Sequence, residues 1–327
     1  MIPGIIAGIT WALETIILGI ALAMSPFCST EQAIFLAPFV STFLHDACSA
    51  IWSLVYNGVR GNLKNVWKAF CTKSGKWVVL AAIIGGPVGM TGYVMCVNYM
   101  GASIGAVASA IFPAIGSVLA FFFLKEKMKW HQWLFLVATL LGVYGLSYSP
   151  DLQISSFWLG LVGALMCSFG WGIEAVILAK SLTDPEVTDE YALQIRQTTS
   201  ALTYGVVLLP VLGMIGTDGG LFGAWQFTVS LFAGTGWLLP TIAIAGLFAT
   251  VSYLFYYKAI AQIGASKAMA LNVTYTAWAI VFTAIMAALK LAGAAFPSVT
   301  TIACAVVVLV CGIFAAADFK QILARKQ

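Results

Sequence analysis

Charge is what this sequence has least of. Asp, Glu, Lys and Arg make up 9% of the 327 residues, against 61% hydrophobic residues. A soluble globular domain carries about 25% charged residues, so a pair of soluble domains is excluded. Histidine is confined to His45 and His131, and no H-E-x-x-H, G-x-S-x-G or P-loop pattern occurs. Their absence removes the usual signatures of metal-dependent, serine-dependent and nucleotide-dependent enzymes, and no catalytic residue is expected. The cysteines (Cys28, Cys48, Cys71, Cys96, Cys167, Cys304 and Cys311) form no C-x-x-C pair, and most lie inside apolar runs. They read as small hydrophobes, with no disulfide framework, metal site or cofactor implied.

What remains is a succession of long apolar runs. A membrane-crossing helix needs roughly 20 such residues, and lipid admits only helices or closed barrels. The runs are continuous and do not alternate, so helices are expected at about 3–24, 33–56, 76–98, 103–124, 130–149, 156–180, 190–216, 236–258, 267–289 and 297–317. Met1–Met24 lacks a basic leader and contains Glu14, so it reads as a retained first helix and not a signal peptide. All the Lys and Arg residues except Arg196 and Lys290 fall on one side of this arrangement. They are Arg60, Lys64, Lys68, Lys73, Lys76, Lys125, Lys127, Lys129, Lys180, Lys258, Lys267, Lys320, Arg325 and Lys326. By the positive-inside rule both termini face the cytoplasm. The net charge of +4 is this surplus, and no nucleic-acid partner is implied. The basic 57–76 segment can lie on anionic lipid through Trp67 and Phe70.

The halves 1–150 and 151–327 echo one another. Trp11-Ala12-Leu13-Glu14 matches Trp171-Gly172-Ile173-Glu174, and Met100-Gly101-Ala102-Ser103 matches Ile263-Gly264-Ala265-Ser266. Tyr93 then falls on Tyr256, Ser49-Ala50 on Ser200-Ala201, and His45 on Arg196. Five helices per half invert the second relative to the first, which is the build of many secondary transporters.

Ionisable residues inside membrane helices need a reason to be there. Here they are Glu14, His45, Asp46, Glu174 and Arg196. Glu174 lies three residues after Trp171, so both share one helix face, and Gly170 and Gly172 thin the helix around them. Glu14 and Trp11 repeat the arrangement. Asn272, Tyr275 and Trp278 form an i, i+3, i+6 ladder, and Tyr253 and Tyr256 lie on the preceding helix. Ring faces hold cations, and one nearby carboxylate adds Coulomb attraction. Trp11, Tyr93, Trp171, Glu174, Tyr253, Tyr256, Asn272, Tyr275 and Trp278 are therefore the candidate binding set for a small cationic metabolite. Glu174, Glu14 and His45 are candidates for coupling to an ion, most simply a proton. His45 and Asp46 can relay protons; equally, Asp46 can pair with Arg196, the reading favoured here. Arg196 is placed too near the cytoplasmic end to serve a substrate carboxylate. Trp52, Trp130, Trp133, Trp158 and Tyr257 are assigned to the interfacial belt. Pro87, beside Gly85, Gly86 and Gly89, and Pro113 are expected to bend their helices toward the cavity.

The ten-helix pattern, with a fourth helix ending Phe121-Phe122-Phe123-Leu124-Lys125-Glu126-Lys127, resembles the drug/metabolite transporter superfamily, EamA type. Gly86-Pro87-Val88-Gly89-Met90, Ser109-Ala110-Ile111-Phe112-Pro113-Ala114-Ile115, Gly170-Trp171-Gly172-Ile173-Glu174, Ile195-Arg196-Gln197 and Leu271-Asn272-Val273-Thr274-Tyr275 look most like the LicB-like choline transporters. The resemblance implies proton-coupled uptake of choline at the plasma membrane through an aromatic box. Trp171, Glu174, Tyr253 and Tyr275 are its carried-over positions; Glu14 rests on the internal repeat. An exporter of amino acids, aromatic metabolites or cationic drugs is the alternative.

Overall fold

Apolar runs as long as the bilayer is thick can satisfy their backbone only within themselves, and all regular elements among the described residues are helical. The computed structural model describes residues 1–149, 154–234, 236–291 and 293–317. The basic tail residues Lys320, Arg325 and Lys326, and the boundary at 150–151, lie outside them. In chain order the helices are α1 (Ile2–Leu22), α2 (Glu31–Val59), α3 (Leu63–Cys71), α4 (Lys73–Met100), α5 (Ala102–Leu124), α6 (Trp130–Ser147), α7 (Phe157–Ser181), α8 (Asp189–Gly216), α9 (Gly223–Ser230), α10 (Leu238–Ile263), α11 (Ala265–Ala288) and α12 (Val299–Ala316). Among the described residues, nine are long and apolar enough to cross a membrane: all but α3, α6 and α9. Helix α6 is 18 residues long, and its polar first turn, Trp130-His131-Gln132-Trp133, dilutes its hydropathy.

Four helices are interrupted. In α4 a π-helical turn spans Ile84–Val88 and contains Pro87, which has no N–H to give the preceding turn. In α8 a second π turn, Tyr204–Leu208, comes just before Pro210. Helix α5 breaks at Ile111, before Pro113. Helix α11 breaks at Val273 and Thr274, where no proline marks the sequence; there the Thr274 hydroxyl donates to the Leu271 carbonyl at 2.6 Å. This last break falls inside the expected ladder and parts Asn272 from Tyr275 and Trp278. Helix α10 also runs further than expected, to Ile263. The 57–76 segment contains α3, on which Trp67 and Phe70 are exposed and stacked at 5.4 Å between centroids.

Helix α1 packs along α10 and the second half of α11, and α7 packs along α4 and the second half of α5. Helix α2 lies against α8 and α10, and α6 against α12. Two hairpins turn in a single residue, at Gly101 (φ +90°) and Gly264 (φ +85°). Only glycine adopts such a conformation without strain. The second turn is capped from across the bundle. The Glu126 carboxylate accepts the amides of Ala265 (2.9 Å) and Ser266 (3.0 Å) and the Ser266 hydroxyl (2.8 Å). A carboxylate there meets both the unpaired amides and the positive end of α11. Replacing Glu126 with Ala should cost about 1–2 kcal/mol of stability, read as a lower thermal unfolding midpoint in detergent; an unchanged midpoint would show the cap to be idle.

Candidate functional site

The site forms where the interrupted helices meet α1, α7 and α10. Trp11 of α1, Phe112 of α5, Trp171, Glu174 and Ala175 of α7, Tyr253 and Tyr256 of α10, and Asn272 and Tyr275 of α11 line one cavity. Its accessible space is about 40 Å³, room for a few waters, so a metabolite-sized ligand requires the lining side chains to part. Trp11 stands edge-on to Tyr253 (4.9 Å) and Tyr275 (6.3 Å), and Phe112 edge-on to Trp171 (5.9 Å). Tyr93 is stacked behind Trp171 at 6.3 Å. The Asn272 side-chain carbonyl is buried and makes no hydrogen bond among the described residues, leaving an acceptor available to a ligand hydroxyl.

The π turn of α4 positions the two most informative residues. Trp171 Nε1 donates to the Gly85 carbonyl at 2.9 Å. A Cβ added at Gly85 would fall on the Glu174 carboxylate, and one at Gly89 would crowd the Trp171 indole nitrogen. The glycines beside Pro87 thus do more than bend the helix: they give Trp171 and Glu174 their place against bare backbone.

Beside the cavity the buried ionisable residues form one chain. Glu14 Oε1 is 3.1 Å from His45 Nε2, and His45 Nδ1 is 3.0 Å from Asp46 Oδ1. Asp46 Oδ2 lies 3.4 Å from Arg196 Nη1, and Arg196 Nε lies 3.1 Å from Glu174 Oε1. Ser200 donates to Asp46 at 2.6 Å, and Arg196 donates to Gln197 at 2.8 Å. The Arg196 guanidinium also covers the Tyr253 ring, 4.4 Å from its centroid. Three carboxylates against one guanidinium leave a formal charge of minus two with His45 neutral, or minus one with it protonated.

The structure brings Trp11, Trp171, Glu174, Tyr253, Tyr256, Asn272 and Tyr275 to the cavity wall. Glu14 and His45 lie in the adjoining ionic chain, and Tyr93 behind the wall. Trp278 is not part of the wall; it lies one turn beyond Tyr275 on the second half of α11. Arg196 requires a correction. It is 3% exposed and bonded to Glu174, because α7 and α8 both pack against α4 and meet over its π turn, where Gly85 faces Glu174 and Gly86 faces Arg196. Tyr257 is also corrected: it is fully buried against Tyr253 and Tyr256 and is not interfacial. Phe112 was not among the expected site residues, although its neighbour Pro113 signalled the break that turns it inward.

Residues 1–148 match the model of the EamA-like transporter family. Protein LicB of Haemophilus influenzae is 27% identical over 283 residues, which are 85% of this chain and 85% of LicB. A crystal structure of another protein aligns over 100% of this chain and 98% of its own, at 17% identity and a TM-score of 0.66, a likeness of fold. With nine helices long and apolar enough to span a membrane among the described residues and a lined cavity between them, the chain is a multi-pass membrane protein whose residues 1–148 resemble EamA-like transporters, a likeness that indicates a transporter rather than an enzyme.

Proposed function

We propose that this transporter imports choline or a related quaternary ammonium across the plasma membrane by alternating access, coupled to protons. The observation that carries the reading is the union of an aromatic wall with a net-negative buried cluster. Excess negative charge in lipid is costly unless a cation or proton joins it. A trimethylammonium group has no N–H to donate, so ring faces suit it best. Trp11, Trp171, Tyr253 and Tyr275 enclose the head, Glu174 balances its charge, and the free Asn272 carbonyl accepts the choline hydroxyl. His45, between Glu14 and Asp46, carries the coupling proton. Asp46 and Glu174 already hold Arg196, which leaves it unavailable to a substrate carboxylate and favours choline over betaine or carnitine.

Ten spans in two inverted repeats, 1–150 and 151–327, complete the reading, with α6 as the fifth span and both termini cytoplasmic. The helix pairings support it. If α1 corresponds to α7, then α1 against α10 mirrors α7 against α4, and α1 against α11 mirrors α7 against α5. A rocking motion between two such halves gives outward- and inward-open states of similar energy. Green fluorescent protein fused to the C-terminus should fluoresce, since it matures in the cytoplasm; a dark but full-length fusion would overturn the topology.

Calorimetric titration of choline into purified protein tests the site. Saturable binding is expected, weakened about tenfold or more in Trp171→Ala and in Glu174→Gln, as loss of a desolvated cation contact of about 2 kcal/mol implies. Gly85→Ala, outside the cavity wall, should weaken binding in the same direction by dislodging Glu174. Undiminished affinity in a folded Trp171→Ala protein would sink the cage, and the screen would pass to amino acids and aromatic cations.

A further inference from the structure

The two groups assigned to the substrate head are already in use. Arg196 Nε is 3.1 Å from Glu174 Oε1, and the same guanidinium lies over Tyr253 at 4.4 Å. An acid and a ring face are what an ammonium would seek, and one buried guanidinium holds both. Arginine suits this position because its plane stacks on a ring while its edge bonds a carboxylate. It has a second berth as well. Nη1 reaches Asp46 Oδ2 at 3.4 Å and Gln197 Oε1 at 2.8 Å, so its charge stays paired if Glu174 lets go. The matched position in the other half, His45, lies 3.1 Å from Glu14, with no ring contact of its own among the described residues.

We propose that Arg196 is a tethered stand-in for the substrate cation: it occupies Glu174 and Tyr253 in the empty transporter and yields both to the substrate by shifting onto Asp46 and Gln197. The inference rests on the cation-cage reading above. It gives Arg196 two tasks. Glu174 stays neutralised in lipid while the site is empty, and an incoming cation must outbid an internal competitor. A small hydrated ion, which gains little from rings, fails that test; a trimethylammonium head, which gains from several at once, passes it. Specificity then comes from an opposing contact as well as from attractive ones.

The test is choline titration into full-length wild type, Arg196→Gln, Arg196→Lys and Asp46→Asn at mildly alkaline pH, with thermal melts as the folding control. Removing the competitor should tighten choline binding roughly tenfold in Arg196→Gln, the equivalent of one displaced charge contact. Arg196→Lys should fall between it and wild type. Asp46→Asn, which removes the second berth, should weaken binding. A folded Arg196→Gln protein with unchanged or weaker affinity overturns the proposal, since a merely structural arginine would give that result. A structure of choline-loaded wild type decides without any variant: the Arg196–Glu174 pair should open beyond hydrogen-bond distance, and a pair still at contact with choline bound overturns it. Absence of choline binding to folded wild type would instead overturn the cage reading itself.

Discussion

Five ionisable side chains sit where the surroundings are lipid-facing helices, and each must find its partner among the others. That requirement organises the centre of this protein. Glu14, His45, Asp46, Arg196 and Glu174 come from four different helices, α1, α2, α7 and α8, and each lies against at least one of the others in a low dielectric. The helices that carry them are therefore held in mutual register by polar contacts, while the surrounding packing is apolar and tolerant of sliding. The extension through Gln197, Ser49 and Thr250, linked at 2.8 and 2.7 Å, ties α10 to the same framework.

The breaks in the helices belong to the same design. A regular helix presents its side chains to the cavity and its backbone only to itself. Where α4 loosens into a π turn, its carbonyl at Gly85 becomes a partner for the Trp171 indole, and its missing side chains leave room for the Glu174 carboxylate. Where α5 and α11 break, Phe112 and the Asn272–Tyr275 pair turn inward. Discontinuous helices at mid-membrane are tolerated when neighbouring protein takes up the freed backbone groups, and they are common at transporter sites. In the proposed reading these breaks are also the places where the bundle can change shape.

Much of this was legible from residue order alone. Class and nine of the ten expected spans followed from apolar run length, since backbone satisfaction in lipid leaves one choice. Trp171 and Glu174 were legible together because their spacing places them on one helix face, and Asp46 with Arg196 because buried opposite charges must pair. The break between Asn272 and Tyr275 was not legible because the sequence around Val273 and Thr274 has no proline or glycine to announce it. Arg196 was misplaced because its reach to Glu174 depends on how α7 and α8 pack against α4, which no run length reveals.

The division has a physical cause. Composition, run length and helical spacing are local, and in a membrane they suffice to determine that this chain forms spanning helices and which faces carry Trp and Glu. The partner of each buried charge is a non-local quantity. Only the packed bundle decided that Glu174 faces Arg196, that Arg196 covers Tyr253, and that the backbone at Gly85 receives Trp171. Those contacts join residues far apart in the chain, and distances between helices cannot be read from the spacing within them.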